Sequence, residues 1–113
     1  MLGKLFRKPT FRQLGNRARG KGLWAEAADH YRRHLAEQPE DFAIWVQLGH
    51  MLAQMGDHAG ADLAYGRAGD LRPTDSDLLL CWGRSRRQAD AAPASIPAIA
   101  TTVTARLTGL YPR

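Results

Sequence analysis

The chain has one cysteine, Cys81, so no internal disulfide can form. It lies in the apolar run from Leu78 to Trp82, where a free thiol is expected to serve packing. No stretch approaches the roughly 20 apolar residues of a membrane helix. The opening MLGKLFRKP is interrupted by Lys4, Arg7 and Lys8 and so lacks a secretory core, which makes the expected location cytoplasmic. Acidic residues are absent before Glu26, and the first 25 residues carry +7 of charge while the remainder brings the total to +5. This asymmetry marks the N-terminus as a contact for anionic surfaces, including weak contact of residues 1–9 with an anionic membrane through Leu2, Leu5 and Phe6. There is no glycine-rich phosphate loop, no serine nucleophile elbow and no carboxylate pair that helices would bring together. No catalytic constellation and no cofactor are therefore expected, and the chain is not expected to be an enzyme.

What is present is helical periodicity. From Asp41 to Pro73 the chain forms two amphipathic segments separated by a Gly56-Asp57 turn. Trp45, Leu48 and Leu52 recur on one face of the first, with Gly49 beside them; Ala61, Tyr65 and Ala68 recur on one face of the second. Small residues at Gly49, Ala61 and Ala68 allow close helix approach, and Gly49 is expected to face Trp45 and Ala61. Pro73 ends the second segment. A step of 34 residues back maps Trp45 to Phe11, Leu48-Gly49 to Leu14-Gly15, Ala61 to Ala27, Tyr65 to Tyr31 and Pro73 to Pro39. The same step forward maps Trp45 to Leu79, Leu48 to Trp82 and Gly49 to Gly83. At His34 the repeat expects a small residue, so that site should be loose or its imidazole should reach the surface.

These residues resemble the tetratricopeptide repeat (TPR), whose signature runs Trp, Leu-Gly, Tyr, Ala, aromatic, Ala, Pro over about 34 residues. The resemblance implies an all-α fold: antiparallel helix-turn-helix pairs stacked as a short right-handed solenoid. It divides the chain into a basic leader (1–9), a first repeat (10–40), a second (41–74), the first helix of a partial third (75–90) and a divergent tail (91–113). Thr10 and Gln13 fit a capping box that starts a helix at Phe11 and runs to about Arg19. The second helix is expected from Leu23 to about Gln38. Asp41 caps the next, and Thr74 or Asp75 caps a fifth from Ser76 to Gln88. In the tail, Ile96, Ile99, Ala100, Val103, Leu107 and Leu110 keep helical spacing, which predicts a capping helix over 97–110 covering Leu79 and Trp82. The loss of pattern after Gly83 is also what truncation or a shifted frame in a longer protein would produce.

His30 and His34 stand one turn apart, but the core residue Tyr31 follows the first and no third ligand is evident, so no metal site is expected. His50 and His58 are isolated and expected at the surface. In TPR proteins the first helix of each repeat lines a groove that holds a peptide or helix. Here that selects Arg12, Asn16 and Arg19, then Val46, Gln47, His50 and Gln54, then Leu80, Arg84 and Arg87, giving a groove basic at both ends and neutral between. Some TPR domains clamp a C-terminal carboxylate. Arg12 with Asn16 and then Gln47 resemble two parts of that clamp, but Asp77 and Cys81 stand where its last cations belong. The function expected is a non-enzymatic scaffold for an acidic or amphipathic protein segment, without specific nucleic-acid binding. The alternative is an accessory module or fragment of a bacterial glycosyltransferase that builds surface polysaccharide.

Overall fold

The structure, a computed structural model, describes residues 7–91, which form five helices and no strand. They are α1 (Phe11–Gly20), α2 (Trp24–Glu37), α3 (Phe42–Gln54), α4 (His58–Leu71) and α5 (Ser76–Asp90). The segments expected as a capping helix (97–110) and as an amphipathic turn (Leu2, Leu5, Phe6) lie outside the described residues.

Local chemistry fixes the ends. Thr10 and Gln13 form the full capping box: the Gln13 amide donates to Thr10 Oγ1 at 3.1 Å and the Thr10 amide to Gln13 Oε1 at 2.9 Å. Asp41, Asp57 and Asp75 accept from the amides of Ile44, Gly60 and Leu78 at the starts of α3, α4 and α5. Such caps each satisfy one orphan amide and contribute about 1 kcal/mol. α2 starts without a side-chain cap, after a turn at Gly22. Gly22 and Gly56, at φ 75° and 81°, hold the left-handed turns inside the two pairs α1–α2 and α3–α4, where a side chain would be strained.

Each helix packs chiefly on the one that follows it: α1 on α2, α2 on α3, α3 on α4 and α4 on α5. The two pairs repeat the same contact. A Cβ built on Gly15 would meet Tyr31 Cε1 at 2.5 Å, and one on Gly49 would meet Tyr65 Cε1 at 2.6 Å. The bulk facing Gly49 is therefore the Tyr65 ring rather than Trp45 and Ala61. Both tyrosine rings are fully buried, as are Ala27, Ala61 and Ala68 beneath them.

The phase of α5 differs from the expected stripe. Leu78 is buried while Leu79 is 52% and Leu80 64% exposed. The periodic step predicts this once burial is followed: Ile44, one residue before Trp45, is also buried and maps onto Leu78. That slot faces the preceding helix, and Leu78 and Trp82 lie over Gly69 of α4. The Trp45 slot belongs to a contact with a following helix, which α5 lacks among the described residues. Trp82 does pack inward. It tilts against Tyr65 at 6.5 Å between centroids, and its indole N–H donates to Asp62 Oδ1 at 2.7 Å. Cys81 is half-buried against the core.

His34 is neither loose nor free at the surface. Its Nε2 is 2.8 Å from Asp41 Oδ2, so one carboxylate caps α3 and fastens the end of α2 to it. The imidazole takes up the space that an alanine would leave.

Candidate partner-binding site

The side formed by α1, α3 and α5 carries most of the residues singled out by the repeat. Directly after the glycine of each repeat step comes a polar residue: Asn16 after Gly15, His50 after Gly49 and Arg84 after Gly83. The first two are hydrogen-bonded to the tyrosine that covers their glycine. Tyr31 O–H donates to Asn16 Oδ1 at 2.7 Å, and Tyr65 Oη lies 2.8 Å from His50 Nδ1. The hydroxyl of each buried ring thus holds the polar group that follows its glycine.

A notch of about 240 Å³ lies there, between α3 and α5. His50, Ala53 and Gln54 come from α3; Cys81, Arg84, Ser85 and Gln88 from α5; Tyr65 forms its floor. Ala53 stands one repeat from Arg19 and from Arg87, and its short side chain leaves the opening. His50 is not at the open surface as expected but half-buried. Burial, reinforced by the guanidiniums of Arg19 and Arg84, pushes its pKa below the ordinary 6.5. Burial pushes Tyr65 up to about 12, with Cys81 adding to the rise and Arg84 opposing it. Tyr65 is therefore a neutral phenol hydrogen-bonded to a neutral His50.

Arg19 also acts on Tyr31, whose pKa burial raises and Arg19 and Arg12 lower. Arg19 thus acts on both tyrosine-linked positions, through Tyr31 and through His50. Arg19 of α1 and Arg84 of α5 both bear on the imidazole of α3. Arg12, at the other end, is tempered by Asp41 at 3.9 Å. With Asn16, His34 and Asp41 it lines a wider recess of about 820 Å³ beside the start of α1.

His50, Gln54 and Arg84 are brought together. Gln47 is half-buried on α3 outside the notch, and Arg87, whose guanidinium lies near Gly83, does not line it. Gln88, one turn beyond Arg84, takes the place expected of Arg87; the step of one repeat from Gln54 identifies it. Val46 is half-buried against the core, leaving Leu80 as the exposed apolar residue of the expected groove. On α2 and α4, Arg32 and Arg67 flank a separate apolar recess floored by Trp45, Leu48 and Leu52.

Among the described residues no three His, Cys, Asp or Glu side chains are grouped as metal ligands, and no helix is long and apolar enough to cross a membrane. His30 lies 4.0 Å from Glu26 and stacks on Phe11, while the buried Nδ1 atoms of His30 and His58 have no hydrogen-bond partner among the described residues.

No family model matches the chain. Over 63 residues, 56% of its length, the chain is 33% identical to cellulose synthase operon protein C of Salmonella typhimurium. The likeness spans 5% of that protein's length, so it bears on a small part of a much longer chain.

Proposed function

We propose that this chain is a protein-interaction module of tetratricopeptide type, its helix pairs stacked as a right-handed solenoid, which takes an acidic or amphipathic partner segment along α1, α3 and α5. The observation that carries this is the ladder Asn16–His50–Arg84. Repeated packing sets polar groups side by side on one face, two of them anchored by buried tyrosines, with Arg12 and Arg19 beside them. Such a row suits an extended or helical segment that crosses several helices, and its cations select carboxylates.

A display selection of peptides on the wild-type chain should enrich acidic sequences. Their affinity should fall by about tenfold or more in Arg19→Glu with Arg84→Glu, which corresponds to about 1.4 kcal/mol per tenfold. Arg32→Glu with Arg67→Glu changes net charge equally on the other helices and should cost much less. Binding should also weaken with salt, since exposed charges are screened over about 8–10 Å at 0.1–0.15 M. Equal losses from the two double variants would mean that net charge alone matters and that the groove is not the site.

The same proposal has residues 97–110 cover α5, where Leu79 and Leu80 are exposed. Removing residues 97–113 should then cause association through that face. A truncated chain that stays monomeric and equally stable would overturn the cover.

A second function is favoured by the name of the similar Salmonella protein: an accessory module serving the synthesis of a polysaccharide such as cellulose. Deleting the chain from its source cell should then lower the yield of that polymer, and an unchanged yield would exclude the role.

A further inference from the structure

We propose that the notch between α3 and α5 is a carboxylate subsite, in which His50 and Arg84 receive an acidic side chain of the partner and His50 takes up a proton as that side chain seats. The inference rests on the groove being the partner site and names what its centre recognises.

The arrangement of groups carries it. His50 and Gln54 are one turn apart on α3, Arg84 and Gln88 one turn apart on α5, and the four border a single opening. None of the residues lining it is acidic, so no internal carboxylate occupies the guanidinium. Arg84 is exposed and makes no ion pair among the described residues. The His50 ring is oriented by a hydrogen bond between its Nδ1 and the Tyr65 hydroxyl. Nε2 is the nitrogen that Tyr65 does not occupy, and once the ring takes up a proton it carries an N–H there. An N–H on one wall and a planar guanidinium fork on the other match the two oxygens of a carboxylate. A phosphate would bring more charge and a third oxygen than these two donors answer.

The proton uptake follows from what surrounds the imidazole. Tyr65 faces it from α4, Arg19 from α1, and Cys81 and Arg84 share the notch from α5. Burial disfavours the charged ring, and every charged group in that set is a cation that adds to the effect, so the unliganded ring stays neutral. An incoming carboxylate offsets the cations and favours the imidazolium. Binding must then tighten as pH falls, because the bound state holds the proton more firmly than the free state.

The test follows the His50 ring by NMR through a pH titration of the whole chain. The probe is a glutamate-rich peptide, acetylated and amidated so that only side-chain carboxylates remain. The expected result is a rise of the His50 midpoint on binding and tighter binding near pH 6 than near pH 8, by up to about tenfold per unit of rise. The glutamine version of the peptide should produce neither effect. Arg84→Gln, at an exposed position, should abolish the rise while leaving the fold intact, and His50→Gln should leave weaker binding without pH dependence. A bound peptide that leaves the His50 midpoint unmoved would overturn the subsite while the charge-reversal variants still decide the groove. Failure of the peptide to bind, a rise that survives in Arg84→Gln, or a larger rise with inorganic phosphate than with the peptide would each overturn it as well.

Discussion

Gly49→Leu is expected to lower the melting temperature by roughly 10 °C or more, since overpacking a core costs about 1–3 kcal/mol or more and each kcal/mol is worth about 4–8 °C in a domain of this size. The cause is a ring and not a flexible chain end. A Cβ at Gly49 lies 2.6 Å from Tyr65 Cε1 and 2.8 Å from both Cδ1 and Cζ. Tyr65 is only 1% exposed, wedged among alanines and Trp82, and its hydroxyl is tied to His50. The ring cannot swing away, so the helices must separate. Gly49→Ala adds the same Cβ and should destabilise as well, although alanine gains up to about 1 kcal/mol of helix propensity over glycine. Gly20 is the matched control, because a Cβ there meets nothing within 4 Å, and Gly20→Ala should be neutral or stabilising. Thermal unfolding followed by circular dichroism gives the answer. An unchanged midpoint for Gly49→Leu would contradict the glycine–tyrosine contact.

Tyr65→Ala should cost about 3–5 kcal/mol, the range for removing a buried aromatic ring. The ring fills the space over Gly49, lies against Trp82 and roofs the core between α3, α4 and α5. Tyr65→Phe keeps that volume and removes only the bond to His50, so its loss should be about 0.5–1.5 kcal/mol. Denaturant unfolding of the two variants separates packing from hydrogen bonding. Similar losses would mean that the hydroxyl, and not the ring, holds the helices together.

These contacts show which features were legible in the sequence. The Thr10–Gln13 box, the caps at Asp41 and Asp75 and the Gly56 turn depend on residues within one turn of each other, and the starts of α1, α2, α3 and α5 fell within a residue of expectation. Tyr31 and Tyr65 were legible as core because their period is regular. The phase of α5 was not, because the Trp45 slot and the Ile44 slot are both apolar in α5, as Leu79 and Leu78. Only the neighbours decide which is covered, and α5 has its preceding helix without a following one among the described residues. The meeting of Arg19 and Arg84 at His50 depends on how successive helices stack, a quantity with no local signature. A residue set at repeat spacing was nevertheless visible: Asn16, His50 and Arg84 each follow a glycine that a tyrosine covers or that holds the same slot. The tyrosine hydroxyls, which reach 15 residues back along the chain, were missed because a buried ring gives no sign of where its polar end emerges.

The nearest-neighbour packing of the five helices also sets the order in which the molecule can assemble. Contacts between consecutive helices close only short loops, so little entropy is lost before each contact forms, and chains of this kind fold within microseconds to milliseconds. The first pair is complete by Glu37 and holds the contact of Tyr31 with Gly15 within itself. During synthesis it can close while the second pair is still being made, and each later helix then docks on a surface that is already formed. Trp24, Trp45 and Trp82 place one indole in each successive layer, so single-tryptophan variants would report the layers one at a time.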